Sequence, residues 1–311
     1  MNEKLKSVAC IEKTMLVIGQ REQTEEWDYY TTSENKISIA TDRVVAYNRI
    51  IGCIPYKGAL LGEITAFFAE HAADICQTNF IDAPHPRMIV TKNVSTFPVS
   101  FRVHGYITNE NARNPNMWDQ YKNGVKNYFG NILPAGLKEN QKLEHPVCVP
   151  IVNKNATTQE TIFAEGLVDE ALFEEAEELC LNLFMQGSAH AAKNKLILAS
   201  AKYIFGISEN QVVLLTGLHV PGTATYWDAK EYETVFAENK PQKELKETVI
   251  TTWLSGVGFQ GNGPAPPIPE EICMKAAAEY HALAEQLLGK KIHLKSEMNN
   301  FETIEKAAKN I

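Results

Sequence analysis

The chain has no excess of positive charge. Its 30 lysines and arginines are outnumbered by 38 aspartates and glutamates, giving a formal net charge of −8. Counterion release from nucleic acid and attraction to an anionic membrane both need a basic face, so general binding to either is disfavoured and basic character would have to be local to a pocket. Paired cysteines are missing as well. The six that occur (Cys10, Cys53, Cys76, Cys148, Cys180, Cys273) are scattered, with no CxxC and no histidine at zinc spacing. This argues against the common zinc modules and predicts reduced thiols in a cytosol-like compartment. No apolar run approaches the length of a membrane span, "MNEKLKSVAC" lacks a hydrophobic signal core, and there is no internal repeat or low-complexity segment. A soluble, cytoplasmic globular protein is expected, without nucleic-acid or membrane partners.

With 44% hydrophobic and 22% charged residues over 311 positions, the chain can bury one large domain or two lobes sharing a cleft. Short β-type runs, "TMLVIG" (14–19) and "KISIAT" (36–41), flank a polar stretch that reads as a turn or flap. In "ALLGEITAFFAEHAADI" (59–75) the apolar residues fall at i, i+3, i+4, i+7, which predicts an amphipathic helix with His71 as a packed core-edge residue rather than a ligand. "RMIVTKNVSTFPVSFRVHGYIT" (87–108) reads as two strands about a polar turn. Residues 111–160, rich in Asn, Gly and Pro, read as a long functional or lid-like connection. A helix follows from about Val168, then a hairpin "KLILASA…QVVLLTGLHV" turning at "GISEN". A last helix begins with acidic residues in "IPEEI" and stops at Gly289, and the final twenty residues form a polar, helix-compatible tail. The division expected is a β-rich N-terminal lobe (1–90), an α+β lobe (91–290) and the tail (291–311), with the cleft between lobes as the default ligand site.

Several stretches occur in an order and spacing that resemble one family. They are "ATDRVVAYN" (40–48), "IPYKG" (54–58), "FRVHGYIT" (101–108), "WDQYKNG" (118–124), "LPAGLKENQKLEHPV" (133–147), "AKYIFG" (201–206), "VPGTATYW" (220–227) and the "GNGPAPPIPEEI" approach to the last helix. Together they identify a resemblance to SAICAR synthetase (phosphoribosylaminoimidazole-succinocarboxamide synthase) over roughly residues 15–290. The resemblance implies an α+β, two-lobed fold. It also implies a reaction in which ATP and magnesium drive ligation of aspartate to the carboxylate of a carboxyaminoimidazole ribotide, through an acyl phosphate. Such chemistry needs a lid over the nucleotide phosphates, carboxylates for the metal, cations for the ribotide phosphate and an amino-acid pocket.

Against that family pattern the charged positions differ. The lid segment reads Gly19, Gln20, Arg21 and then three glutamates, so a solvated flap is expected rather than a working phosphate loop, with Arg21 kept as a candidate contact. The positions implied for metal carboxylates hold Ser200, Ile204, Thr216 and Gly217, none of which offers the ionised oxygen that magnesium requires, and no metal site is expected there. The ribotide-phosphate positions hold His104, Glu110 and Thr225, and the aspartate after the TDR motif is Asn48. The loss of two guanidinium groups removes charge-assisted bonds of about 1.5–3 kcal/mol each. In the amino-acid pocket segments, Lys154 keeps a charge and Glu160 a carboxylate.

Scaffold residues thus match while the charged chemistry does not. The leading expectation is a recruited relative that handles a purine-like nucleotide, nucleoside or imidazole ribotide without the ATP-driven ligation and with no cofactor required. Family relatives occur in pathways to coformycin-, pentostatin- and formycin-type nucleosides. Proton transfer would fall to His104, Glu110 and His219. Contacts to the ligand would come from Arg21, Asp42, Arg43, Lys57, Lys154, Lys202, Thr223 and Thr225. Two alternatives stay open. One is a true SAICAR synthetase using ATP and magnesium, with substitute ligands among Asp42, Glu63 and Glu160. The other is a non-catalytic binding subunit, since homo-oligomers are common in the family.

Overall fold

The computed structural model describes residues 9–109, 116–215, 217–246 and 248–311. The described residues of Met1–Glu70, Asn79–Asn93 and Lys246–Ile311 form one compact unit, and His71–Thr78 with Val94–Leu245 form a second.

In the first unit, strands β1 (Gln20–Gln23), β2 (Trp27–Thr31) and β3 (Asn35–Ala40) precede a small hairpin, β4 (Arg43–Ala46) and β5 (Arg49–Cys53). Helix α1 (Lys57–Ala72) follows, then β6 (Phe80–His85) and β7 (Met88–Lys92). The main sheet has the order β1-β2-β3-β7-β6 and is antiparallel throughout. Ile37 and Ile39, alternate residues of β3, point into a core with Tyr30, Met88 and Val90. Helix α1 packs closely because a Cβ at Gly62 would lie 2.0 Å from the Pro86 carbonyl oxygen, so only glycine permits that approach. The "TMLVIG" run is not a strand. Its backbone is satisfied by side chains instead: the Thr14 N–H donates to Asp28 Oδ2 (2.6 Å) and the Leu16 N–H to the Tyr30 hydroxyl (3.1 Å). The polar stretch after it, read as a flap, makes the edge hairpin β1–β2.

The second unit is built on one sheet and one long helix. Its elements are β8 (Ser95–Tyr106), α2 (Met117–Lys122), β9 (Asn127–Tyr128), β10 (Asn131–Ile132), β11 (Lys142–Val152) and β12 (Asn155–Ala156). After these come α3 (Gln159–Ala164), α4 (Glu170–Lys193), β13 (Leu196–Ser208), β14 (Gln211–Leu214), β15 (Ala224–Asp228) and α5 (Ala229–Ala237). The sheet runs β12-β11-β8-β13-β14, with β15 also paired to β13, every ladder antiparallel. Helix α4, capped by the Asp169 carboxylate on the N–H groups of Ala171 and Leu172, buries Phe173, Ala176, Cys180, Leu183 and Phe184. Phe101 of β8 meets Phe173 with ring centroids 5.3 Å apart. The segment read as an irregular lid holds a strand, β11, whose outer edge is paired, among the described residues, only at Ile151 and Val152. Pro146 and Pro150 disguise it, and the ladder to β8 shifts register between Lys142 and Val147.

The rest of the chain belongs to the first unit: α6 (Thr248–Gly256), α7 (Glu270–Leu288), a 3-10 turn (Ser296–Asn299) and α8 (Phe301–Ala308). This differs from the division expected, which set 246–290 with the larger lobe and left 291–311 as a tail. Apolar burial is the reason. Ile250, Leu254, Ala276, Ala277 and Met298 share one core with Val44, Ile51, Ile54 and Tyr56, and Ile304 and Ala308 join the core around Ile37 and Ile39. Helix α7 ends as expected at Gly289, in the left-handed conformation (φ 64°).

Candidate functional site

The sequence candidates fall into two groups, one in each unit. In the first unit Asp42, Arg43, Lys57 and Arg21 are each engaged in an internal ion pair rather than forming a set of open contacts. Both Asp42 oxygens accept from Arg87 Nη2 (2.9 and 3.0 Å); Oδ2 also accepts the Ile11 N–H (2.7 Å) and Oδ1 the Gly58 N–H (3.0 Å). A carboxylate offers about four lone-pair positions, so Asp42 is saturated and cannot serve as the substitute metal ligand or ligand contact it was expected to be. Arg43 is likewise consumed. Nε donates to the Glu25 carbonyl, Nη1 to the Glu12 carbonyl and Asp28 Oδ1, and Nη2 to the carbonyls of Thr24 and Trp27. All five guanidinium N–H groups thereby tie the β1–β2 turn to residue 12. Arg21 Nη2 binds Asp28 Oδ1 and Gln23 Oε1 (3.0 Å each). Lys57, 1% exposed, is ion-paired with Glu26 and lies 5.6 Å from the Tyr280 ring centroid. One of the three flap glutamates is therefore a counter-ion. Glu63 is half-buried on α1, and desolvation pushes its carboxyl up while Lys290 partly opposes this. Arg87, fully buried and the partner of Asp42, was not among the residues singled out from sequence.

The second unit places a polar array on the sheet face turned away from α4. Directly paired residues of an antiparallel ladder share a face, and alternate residues along a strand oppose each other. One row across the sheet reads Val147, His104, Ser200, Thr225, and the next reads Val149, Arg102, Lys202. Beyond them lie Ile151, Ser100 and Ile204. No aspartate or glutamate occupies these rows. Ser200 is fully buried, His104 is 5% exposed, and Arg102, Lys202 and Thr225 are half-buried. Arg102 Nη1 reaches diagonally to Ser200 Oγ (3.1 Å), and the Lys202 N–H donates to the Thr223 carbonyl (2.9 Å). Tyr128 stands edge-on to His104 with centroids 6.4 Å apart. Its turn is fastened to β11 by Asn131 Nδ2, which donates to the Cys148 carbonyl (2.9 Å).

Other candidates are not brought to this array. His219 lies on the α4 side of the sheet, 1% exposed, with Nε2 2.7 Å from the Tyr203 hydroxyl. A Cβ at Gly187 of α4 would come within 2.3 Å of its ring. Burial, with a smaller contribution from His190, lowers its pKa to about 3, so it is a neutral packing histidine and not the proton-transfer candidate that was expected. Thr223 spends its hydroxyl on the Gly217 and Val220 carbonyls, closing a loop. Lys154 sits exposed at the tip of the β11–β12 hairpin, where it and Asn153 adopt positive φ (69° and 49°). Seven residues of chain separate it from the His104 row, roughly 20 Å at strand rise. Glu160, exposed, borders a separate cavity of about 320 Å³ with Gln120, Asn127, Phe129, Gly130 and Thr158; hydrogen bonding to Thr158 lowers its pKa. Glu110 and Thr216 lie outside the described residues.

Arg102 escaped the sequence reading although a signal was present. It precedes His104 by two in an alternating strand, so period 2 places both on one face.

The donor set of the array does not suit magnesium. Serine, threonine, lysine, arginine and histidine supply no anionic oxygen, and no group of three His, Cys, Asp or Glu able to hold a metal ion occurs among the described residues. The same cationic and hydroxyl groups suit an anion such as a phosphate.

Comparison with known proteins agrees with the fold. The SAICAR synthetase family model matches residues 27–265. Phosphoribosylaminoimidazole-succinocarboxamide synthase of Bacteroides fragilis is 32% identical over 287 residues, spanning 89% of this chain and 90% of that one. Among solved structures, SAICAR synthase from Saccharomyces cerevisiae complexed with SAICAR superposes with a TM-score of 0.80 at 24% identity, covering 91% of this chain and all of that one. A type-2 SAICAR synthetase in complex with ADP gives a TM-score of 0.65 at 15% identity, covering 88% of this chain and all of that one. With the family model covering most of its length and a relative matched over nearly all of both chains, this protein belongs to the SAICAR synthetase family.

Proposed function

We propose that this protein binds a phosphorylated purine-type nucleotide or imidazole ribotide on the β8–β13–β15 face and acts on it without magnesium-dependent ligation of aspartate. The observation that carries the reading is the register pair Arg102–Lys202. These two half-buried cations stand directly opposite each other on central strands, on the face that also carries His104, Ser200 and Thr225. A phosphate dianion held between them gains two charge-assisted contacts, with the half-buried Thr225 hydroxyl in the adjoining row. His104 is the group in that row able to move a proton.

The solved relatives bound to SAICAR and ADP support a nucleotide-sized ligand by analogy of fold. Nothing in the relatives points to a nucleoside natural-product pathway, and the proposal stays with the ligand class. The second reading, a true synthetase, is favoured by the 32% identity to a protein of that name over most of both chains; its metal ligands would have to lie elsewhere.

One experiment separates the two. The full chain is melted with adenosine, inosine and imidazole ribotide monophosphates, in EDTA and in magnesium. ADP release is followed in parallel with ATP, aspartate and the carboxyaminoimidazole ribotide. A ligand at a hundred times its dissociation constant adds about 2.7 kcal/mol of stability. A monophosphate-dependent rise in EDTA with no ADP release is expected. A rise that needs ATP and magnesium together, with ADP formed in step with product, overturns the proposal in favour of ligation.

A further inference from the structure

The cysteines, scattered along the chain, are gathered by the fold. In the first unit the Ile11 N–H donates to Asp42 Oδ2 (2.7 Å), the Asp42 N–H to the Ile11 carbonyl (2.8 Å), and the Ile54 N–H to the Asp42 carbonyl (2.9 Å). The chain next to Cys10 and the chain next to Cys53 are thereby held against the same residue, and Cys53 itself pairs with Arg43, whose Nη1 donates to the Glu12 carbonyl. Cys273 Sγ donates to the Cys53 carbonyl at 3.7 Å. All three are free and half-exposed, whereas Cys148 and Cys180 in the second unit are buried. Cys10 also lines a cavity of about 490 Å³ with Glu12, Lys13, Asn299 and Phe301.

We propose that Cys10 and Cys53 form a thiol–disulfide exchange site that reacts with a small disulfide of the glutathione class. The cavity admits the oxidant to Cys10. The Cys10 thiolate attacks one sulfur of the small disulfide, forming a mixed disulfide and expelling one thiolate. The sulfur of Cys53, its proton lost to solvent, then displaces the second thiol from Cys10. The protein gives up two electrons and two protons, and the small disulfide takes both and departs as two thiols. Cys53 is the resolving partner, because Cys10 and not Cys53 lines the cavity through which the small disulfide arrives. The cross-link would fasten the segment around Cys10 to β5. It would thus clamp the strap whose Ile11 and Glu12 backbone groups hold Asp42 and Arg43.

The test uses the full chain equilibrated in glutathione buffers from reducing to oxidising, alkylated, digested and mapped by mass spectrometry. The expected product is one peptide pair joined through Cys10 and Cys53, reversed by dithiothreitol, with a rise in melting temperature of roughly 5–10 °C. Cys10→Ser and Cys53→Ser each abolish the joined pair and Cys273→Ser keeps it. The wild-type map alone is decisive should a variant fold poorly. Absence of the Cys10–Cys53 pair under excess oxidised glutathione overturns the proposal, as does a product joining Cys53 to Cys273 or Cys148 to Cys180.

Discussion

Asp42→Asn is the sharpest test of how the TDR segment is used. The change keeps the shape of the side chain and removes its charge. Arg87, fully buried, then loses its carboxylate partner. One face of the new amide also points an N–H₂ at a shell made of donors, because all four contacts to Asp42 come from N–H groups. Breaking a buried pair from one side costs about 3–5 kcal/mol, since the remaining charge stays desolvated. At a urea dependence of about 2 kcal/mol per molar, the unfolding midpoint should fall by about 2 M. Circular dichroism during urea titration reads this directly. The double variant Asp42→Asn/Arg87→Met should recover much of the loss, because replacing both partners is far less costly than orphaning one. A single-variant loss under about 1 kcal/mol, or a double variant no better than the single, would refute the buried network as the role of Asp42. A contact residue for a ligand would behave in the opposite way, changing binding and sparing the melt.

Three further outcomes follow from the second unit. Lys202→Met should weaken a phosphate ligand by about 10–100-fold, the loss of one charge-assisted bond beside Arg102; isothermal titration reads the loss, and an unchanged affinity removes Lys202 from the phosphate site. Burial lowers the His219 pKa to about 3 from an ordinary value near 6.5. The neutral ring is thus favoured in the folded state, and its stability is complete above about pH 6.5 and is lost as pH falls toward 3, at up to about 1.4 kcal/mol per pH unit. His219→Gln should flatten that part of the wild-type curve, and superimposable curves would remove His219 as its source. Gly187→Ala drives a methyl to within 2.3 Å of the His219 ring and should cost about 1–3 kcal/mol in denaturant titration.

The regular parts of the fold were legible because their signals are local. The apolar spacing of α1 and α4, the acidic start and glycine stop of α7, and the alternation of β3, β8 and β13 all exist within a dozen residues. What failed depended on partners far along the chain. "TMLVIG" has β-type residues, but Asp28 and the Tyr30 hydroxyl satisfy its backbone, which no window around residue 16 reveals. β11 was hidden by two prolines and recovered only through its register with β8. The C-terminal helices were set in the wrong unit because the core that buries them is completed by Val44, Ile51 and Tyr56, some two hundred positions earlier.

The site follows the same rule, with a consequence for how charged motif residues are read. Type and spacing alone could not tell Asp42 and Arg43, whose every donor and acceptor is consumed inside the protein, from Lys202, which stands on a half-buried sheet face beside Arg102. Period-2 alternation could have promoted Arg102, and strand parity could have warned that Tyr203, hence its partner His219, faces away from Lys202. A charge kept from a family pattern is therefore no sign of contact with ligand until its internal partners are counted. Where five guanidinium donors meet five internal acceptors, the kept residue is holding the scaffold, and the search for chemistry moves to the half-buried polar face that Arg102 and Lys202 share.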